Sequence, residues 1–257
     1  MTGNRRDNRR TGLARALSKL GYCSRSEAAT LIRRGRVRVN GRVILDPEKP
    51  ILPARDRIEV EGKPIGRARK VYFMVNKPRG LVSTAHDEKG RKTIYSLLPE
   101  GNQWVAPVGR LDMASEGLLL VTNDSEWGAR IASPASHLEK TYHVQIAAVA
   151  TEDLVDRLRQ GVHTKDGDFL RAKRVSVLRH GQKNSWLEIV LEEGRNRHIR
   201  RMLGELELEV LRLVRVSIGG VELGDLPKGK ARELREEERR SLAAAFSRNR
   251  PGTGGRG

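Results

Sequence analysis

The stretch Val108-Gly109-Arg110-Leu111-Asp112-Met113-Ala114-Ser115-Glu116-Gly117-Leu118-Leu119-Leu120-Val121-Thr122-Asn123-Asp124 places a carboxylate in a loop just before an apolar run. A glycine turn and an Arg-Leu-Asp triplet lead through polar residues into Leu118 to Val121, which reads as a buried strand. In an extended triplet Arg110 and Asp112 share one side of the backbone, where the cation can hold the carboxylate ionised and oriented. The mouth of a buried strand is a good place for a reactive group. The same residues also suit a plain turn, since Asp beside Gly is common turn chemistry.

Three further stretches carry reactive or charged groups. His137-Leu138-Glu139-Lys140-Thr141-Tyr142-His143-Val144-Gln145-Ile146 alternates, which predicts a strand with Lys140, Tyr142 and Val144 on one side and Glu139, Thr141 and His143 on the other. Taken alone, Tyr142 is equally a core or interface residue. The run from Glu193 to Leu203 predicts a helix opened through Asn196 and bearing Arg195, Arg197, His198, Arg200 and Arg201. Helix N-termini favour phosphate through their free N–H groups, and a basic first turn adds to that preference. Val71 to Val75 reads as a buried strand that delivers the turn Asn76-Lys77-Pro78-Arg79-Gly80, with its two cations.

Gly109-Arg110-Leu111-Asp112, followed by Ser115-x-Gly117-Leu-Leu-Leu-x-Thr122-Asn-Asp124, resembles the signature of the ribosomal large- and small-subunit pseudouridine synthases. The Asn-Lys-Pro-x-Gly turn is similar to that family's first motif, and the Gly194 to Leu203 run to its third. The resemblance implies that Asp112 is the nucleophile, that Tyr142 lies against a uracil turned out of the RNA, and that Arg200 pairs with Asp112 and keeps it ionised. Arg110 and Arg200 are expected next to the carboxylate. Lys77, Arg79, Lys140, Arg195, Asn196, Arg197, His198 and Arg201 are expected to hold the substrate. Ser125 stands where the family usually has glycine. Pseudouridine formation moves the ribose bond of uracil from N1 to C5 with no redox step and no net water, so no cofactor is required.

The chain is basic, and the excess is concentrated at the two tails and the first small unit: 50 Lys and Arg against 32 Asp and Glu give +18 over 257 residues. By segment the charge is +3 for residues 1–11, +7 for 12–68, +5 for 69–240 and +3 for 241–257, the footprint of a protein held to a polyanion. No apolar run of about 18 residues and no basic-then-apolar leader is present, so a cytoplasmic location with no membrane partner is expected. A single cysteine, Cys23, excludes an internal disulfide and a Cys-rich zinc site. The six histidines lack metal-ligand spacing. Gly224 to Ala231 reads G-x-x-x-x-G-K-A without the hydroxyl a phosphate loop needs, and Gly252 to Gly257 fits G-x-G-x-x-G with no helix to follow. Neither a metal nor a nucleotide cofactor is expected.

Around these stretches the elements are legible. Leu13, Ala14, Leu17 and Leu20 fall at helical spacing before Gly21, and Ser24 with Glu27 makes a capping box for a second helix that ends at Gly35. Val37, Val39, the Asn40-Gly41 turn and Val43 predict a hairpin, and Ile58 and Val60 a further strand. Arg15, Lys19, Arg25, Arg33, Arg34 and Arg36 give this unit a phosphate-docking surface. Its order of motifs resembles the small αL RNA-binding module of ribosomal proteins and some tRNA synthetases. Helices are also predicted over 93–98, 126–132, 151–159 and 233–246, and strands over 170–177, 185–191 and 210–218.

The expected organisation is a disordered basic tail (1–11), an αL-type RNA-binding domain (12–68), a catalytic domain (69–240) and a flexible basic Gly-rich tail (241–257). The resemblance implies an α+β fold with a large, mostly antiparallel mixed sheet. It also implies isomerisation of a specific uridine in ribosomal RNA by a monomer acting on rRNA or an assembling ribosomal particle. The Glu-Gly-Arg-Asn-Arg run favours the large-subunit (23S) branch. The same reaction on small-subunit (16S) rRNA, a tRNA substrate, and a non-catalytic ribosome-assembly factor stay open at this level.

Overall fold

The computed structural model describes residues 10–84, 87, 89–99 and 104–248; apart from their inner ends, the two expected tails lie outside these residues. The first part of the chain runs β1 (Thr11–Gly12), α1 (Leu13–Lys19), α2 (Arg25–Arg33), β2 (Val37–Val39), β3 (Arg42–Val43), β4 (Pro50–Ile51), β5 (Ile58–Val60) and β6 (Lys63–Pro64). Leu13, Ala16 and Leu17 of α1 pack with Ala28 and Ile32 of α2 and with the inward residues Val37, Val39, Ile58 and Val60. Ser24 caps α2, its Oγ accepting from the Glu27 amide at 3.1 Å. Asn40 and Gly41 both take positive φ and close the β2–β3 hairpin, the geometry an Asn-Gly turn supplies without strain. Thr11, expected in the disordered tail, is already paired with Ile51.

This compact unit reaches Tyr72 and also takes in residues 99–106 and 121–127. The end of the Asp112 signature therefore has a structural task. Thr122 Oγ1 donates to the Val71 carbonyl at 2.6 Å, and Asn123 accepts from the Val71 amide at 2.9 Å while donating to the Arg69 carbonyl at 2.8 Å. Asp124 accepts from Lys70 Nζ at 2.6 Å and from the Tyr72 hydroxyl at 2.9 Å. Burial opposes ionisation of Asp124, and these partners outweigh it and lower its pKa. Its other oxygen takes the Trp127 amide at 3.2 Å, so Ser125 simply opens the following helix.

The second unit comprises Phe73–Leu98, Pro107–Leu120 and the chain from Gly128 onward. Its elements are β7 (Tyr72–Lys77), β8 (Ala106–Val108), β9 (Glu116–Thr122), α3 (Ser125–Ala132), β10 (Lys140–Ile146), α4 (Glu152–Gln160), β11 (Val162–His163), β12 (Phe169–Leu170), β13 (Arg174–His180), β14 (Ser185–Leu191), α5 (His198–Glu205), β15 (Val210–Ile218), β16 (Val221–Glu222), β17 (Ala231–Glu233) and α6 (Glu236–Arg248), with short 3-10 turns at 94–97 and 134–136. A nine-stranded mixed sheet runs β13-β14-β10-β15-β9-β7-β17, with β8 on β9 and β16 on β15. β15 and β9 pair in parallel, whereas β10 pairs antiparallel with both β14 and β15. Every residue of β9 is buried, which is why its sequence is a continuous apolar run rather than an alternation. Among the described residues no helix is long and apolar enough to cross a membrane.

Two expectations change. β7 does not yield to a turn at Asn76 but continues through Lys77, because the Asn76 amide donates to the Lys230 carbonyl and the Gly229 amide to the Asn76 carbonyl. The strand expected over 170–177 breaks at 171–173: Leu170 pairs with Val162 in the small β11–β12 hairpin, and Arg174 begins the ladder with β14.

β9 and β15 meet at Gly117 opposite Arg215. Gly117 has φ +100°, and a Cβ there would lie 2.2 Å from the Arg215 carbonyl oxygen. Backbone cannot yield as a side-chain tip can, so Gly117→Ala is expected to cost about 2–4 kcal/mol, read as a lower midpoint in thermal or urea unfolding.

Candidate active site

Asp112 sits in the loop between β8 and β9, half-buried, with Met113 and Ala114 exposed beside it. Each end of the loop is tied. Ser83 Oγ donates to the Leu111 carbonyl at 2.8 Å and accepts from the Leu111 amide at 3.2 Å. The Ser115 amide turns back onto the Asp112 carbonyl at 2.9 Å, and the Gly80 amide donates to the Met113 carbonyl at 2.8 Å. Beneath lies Lys77, 0% exposed at the end of β7, whose Nζ donates to the carbonyls of Ser115 (2.8 Å), Asp112 (3.0 Å) and Pro78 (3.2 Å). Burial pushes its pKa down to about 8, opposed by the charges of Asp112 and Glu116 and aided by Arg215. Lys77 is expected from the sequence to hold the RNA backbone, but two of its hydrogen bonds go to the loop that carries Asp112 and the third to Pro78, and the side chain has no exposed surface to offer a phosphate.

Arg200 approaches the loop from α5. That helix begins at His198, not at Asn196, because Arg197 stands in the left-handed region at φ +48° as its N-cap. His198, Ile199, Met202 and Leu203 face inward. Arg200 Nη2 donates to the Ala114 carbonyl at 3.2 Å and Nη1 to the Val210 carbonyl at 3.4 Å. Burial lowers the Arg200 pKa, the charge of Asp112 opposes that, and Arg197 and Arg79 add to it. Among the described residues no ion pair joins the Arg200 guanidinium to the Asp112 carboxylate; the hydrogen bonds of its two Nη groups go to the Ala114 and Val210 carbonyls. Arg200 is thus a tether of the Asp112 loop and a charge beside it.

Tyr142 lies on β10, 7% exposed, opposite Ile189 of β14 and Arg215 of β15. The β10–β15 ladder slips by one residue between Thr141 and Tyr142, a bulge that re-aims the strand at this point. Arg215, 4% exposed, donates from Nε to the Leu118 carbonyl at 2.8 Å, and its charge reaches both Lys77 and Lys140. Burial and Arg215 push Lys140 down to about 8, and its Nζ donates to the Leu138 carbonyl at 2.9 Å. Arg215 links the Asp112 side of the sheet to the Tyr142 side, yet none of the sequence motifs includes it. The available signal was an arginine at alternate spacing from Leu213 in a strand whose inner face is apolar.

The remaining cations divide. Arg110 is exposed and Arg79 donates to the Leu211 carbonyl at 3.3 Å. Arg201 is held by Asp168 at 2.7 Å and Asp166 at 3.3 Å, and Arg195 by Glu193 at 2.9 Å. Asn196, Arg197, Arg200, Arg201, Asp166 and Asp168 line an open cleft of about 610 Å³. His198, expected at the substrate, is only 6% exposed at the start of α5.

Comparison with known proteins places this geometry. Residues 71–205 match the family described as RNA pseudouridylate synthase, and residues 11–58 match the S4 domain. The chain belongs to the RNA pseudouridylate synthase family. It is 40% identical over 230 residues to an RNA pseudouridine synthase of Aquifex aeolicus, covering 89% of this chain and 92% of that one. It is 35% identical over 233 residues to the ribosomal large subunit pseudouridine synthase B of Bacillus subtilis, covering 90% and 95%. A solved structure described as a pseudouridylate synthase superposes with a TM-score of 0.62 at 30% identity, over 90% of this chain and 99% of that one. The synthase is therefore an RNA-modifying isomerase preceded by an S4 domain. Of the S4 cations, Lys19 is paired with Glu126 at 2.8 Å and Arg25 with Glu48 at 2.9 Å. Arg15, Arg33, Arg34 and Arg36 are exposed and form no ion pair among the described residues.

Two outcomes follow from these placements. Replacing Arg33, Arg34 and Arg36 with Gln is expected to weaken RNA binding and flatten its salt dependence, the log–log slope falling by about 0.7–0.9 for each phosphate no longer neutralised, as a salt titration would read. For Lys77 the folded pKa of about 8 lies below the ordinary 10.5. Between those values the unfolded chain binds more protons, so the wild type gains stability relative to Lys77→Met as pH rises from about 8 to 10.5. Urea unfolding of both proteins across that range checks it; a constant difference would mean that burial does not penalise the Lys77 charge.

Proposed function

We propose that this synthase converts one uridine of large-subunit ribosomal RNA to pseudouridine, with Asp112 as the nucleophile. The reading is carried by the Asp112 loop itself: a half-buried carboxylate whose backbone is fastened by Ser83, Lys77 and Arg200 while its own side chain forms no ion pair among the described residues. Lys77 and Arg200 set two positive charges beside it. The C1′–N1 bond breaks and a C1′–C5 bond forms; the C5 hydrogen leaves as a proton and N1 ends protonated, so atoms and electrons balance without an oxidant. Asp112 supplies the electron pair while the glycosidic bond is open.

Turning the uridine out of folded RNA costs about a few kcal/mol. Tyr142 supplies aromatic surface for the displaced base, a contact of about 1–3 kcal/mol. Arg79, Arg110 and Arg197, all exposed, hold the flanking backbone. The choice of large-subunit RNA rests on the Bacillus subtilis relative and on the Glu193 to Arg197 run. The enzyme acts as a monomer in the cytoplasm, on rRNA or an assembling particle.

The deciding experiment is carbodiimide-dependent reverse-transcription mapping of total rRNA incubated with the purified synthase, beside Asp112→Asn. One new stop in large-subunit rRNA, absent with Asp112→Asn while RNA binding persists, is expected. Wild-type turnover by Asp112→Asn would remove the nucleophile assignment, and a stop confined to small-subunit rRNA or tRNA would move the substrate.

A further inference from the structure

Glu116 opens β9 four residues after Asp112 and is 1% exposed, although it is a carboxylate. Two cations from distant parts of the chain converge on it. Arg212 of β15 donates from Nε at 3.1 Å and from Nη2 at 3.2 Å, and Lys228 Nζ lies 2.5 Å from the second oxygen. Arg212 also stands over the Trp186 ring of β14, 5.5 Å from its centroid, so its direction is fixed from the far side.

Lys228 belongs to the 223–230 loop, the same stretch that mimics a nucleotide phosphate loop in sequence. That loop is sewn to the end of β7. The Asn76 side chain donates to the Leu226 carbonyl at 2.7 Å, the Gly229 amide to the Asn76 carbonyl at 2.8 Å, and the Asn76 amide to the Lys230 carbonyl at 2.9 Å. Asn76 precedes Lys77, which holds the carbonyls of Asp112 and Ser115. The Asp112 loop is therefore closed into a ring of contacts: Asp112 to Lys77, Asn76, the 223–230 loop, Lys228, Glu116, and back through Ser115.

We propose that Glu116 is a positioning residue for Asp112, clamped between Arg212 and Lys228 so that it fixes the far end of the Asp112 loop against β15 and the 223–230 loop. The proposal rests on Asp112 being the nucleophile. Misplacing a reacting group by a fraction of an ångström slows chemistry without altering RNA affinity, which separates this role from a purely structural one.

The test uses the full-length enzyme with Glu116→Gln, Lys228→Met and Lys228→Arg. Arg212 and Lys228 are 41% and 54% exposed, so both stay solvated when the carboxylate is lost, and Lys228→Met leaves the buried strand untouched. Glu116→Gln and Lys228→Met are expected to lower kcat about tenfold with KM unchanged, to raise hydrogen–deuterium exchange over residues 109–117, and not to compound when combined, since both cut one link. Lys228→Arg, which keeps the cation, is expected to keep the wild-type kcat. Unchanged exchange in both variants overturns the clamp, and so does a lowered unfolding midpoint or raised KM with kcat preserved. Asp112→Asn, assayed alongside, separates the two readings: full activity there removes the nucleophile assignment, while the exchange data still decide whether Glu116 and Lys228 hold the loop.

Discussion

The buried ammonium of Lys77 is the constraint on which the catalytic unit depends. A charge with no exposed surface is tolerable only when its donors are satisfied, and here they are met by three carbonyls, two of which belong to the Asp112 loop. The loop folds over the end of β7 to accommodate the lysine, and the carbonyls of Asp112 and Ser115 are held by that contact. Ser83, the Gly80 amide and Arg200 act on a loop whose path this lysine has already set.

Around that point the unit holds an unusual density of charge for a protein interior. Lys77, Lys140, Arg215 and Arg200 lie within electrostatic reach of one another or of Asp112, and burial opposes the charge on both lysines and on Arg200. Glu116 is the buried counter-charge: burial works against its ionisation, and Arg212 and Lys228 outweigh it, so its pKa is lowered. Arg212 and Lys228 reach Glu116 from the solvent side, 41% and 54% exposed, so the buried carboxylate and not its partners is the desolvated member of the set. A cluster whose positive charges outnumber its two carboxylates, Asp112 and Glu116, suits an enzyme whose substrate is a polyanion.

The signature around Asp112 serves folding as much as chemistry. Gly117 is glycine because the Arg215 carbonyl occupies the space of a Cβ. Thr122, Asn123 and Asp124 hold residues 69–72, and the four-residue apolar run between them is buried on both faces of the sheet. Most of the seventeen-residue pattern is therefore accounted for by packing and hydrogen bonding, and the exposed Met113 and Ala114 and the half-buried Asp112 are the part of it left facing outward.

Local structure was legible from the chain because its causes are local. The Ser24 cap, the Asn40-Gly41 hairpin, the alternation of β10 and the unbroken apolar run of β9 each follow from neighbouring residues, and the family resemblance supplied the fold class and Asp112 as the residue to examine. What the tertiary structure decided is how the long, flexible cations are spent. A sequence marks Lys77, Arg200, Arg201 and Arg215 alike as positive, but apart from Pro78 beside Lys77 the partners that fix them lie 10 to 97 residues away: Lys77 on the Asp112 loop, Arg200 on Ala114 and Val210, Arg201 on Asp168, Arg215 on Leu118. An arginine or lysine reaches whichever acceptor the assembled sheet brings near, and that proximity is created only when β15, β9 and β7 lie side by side.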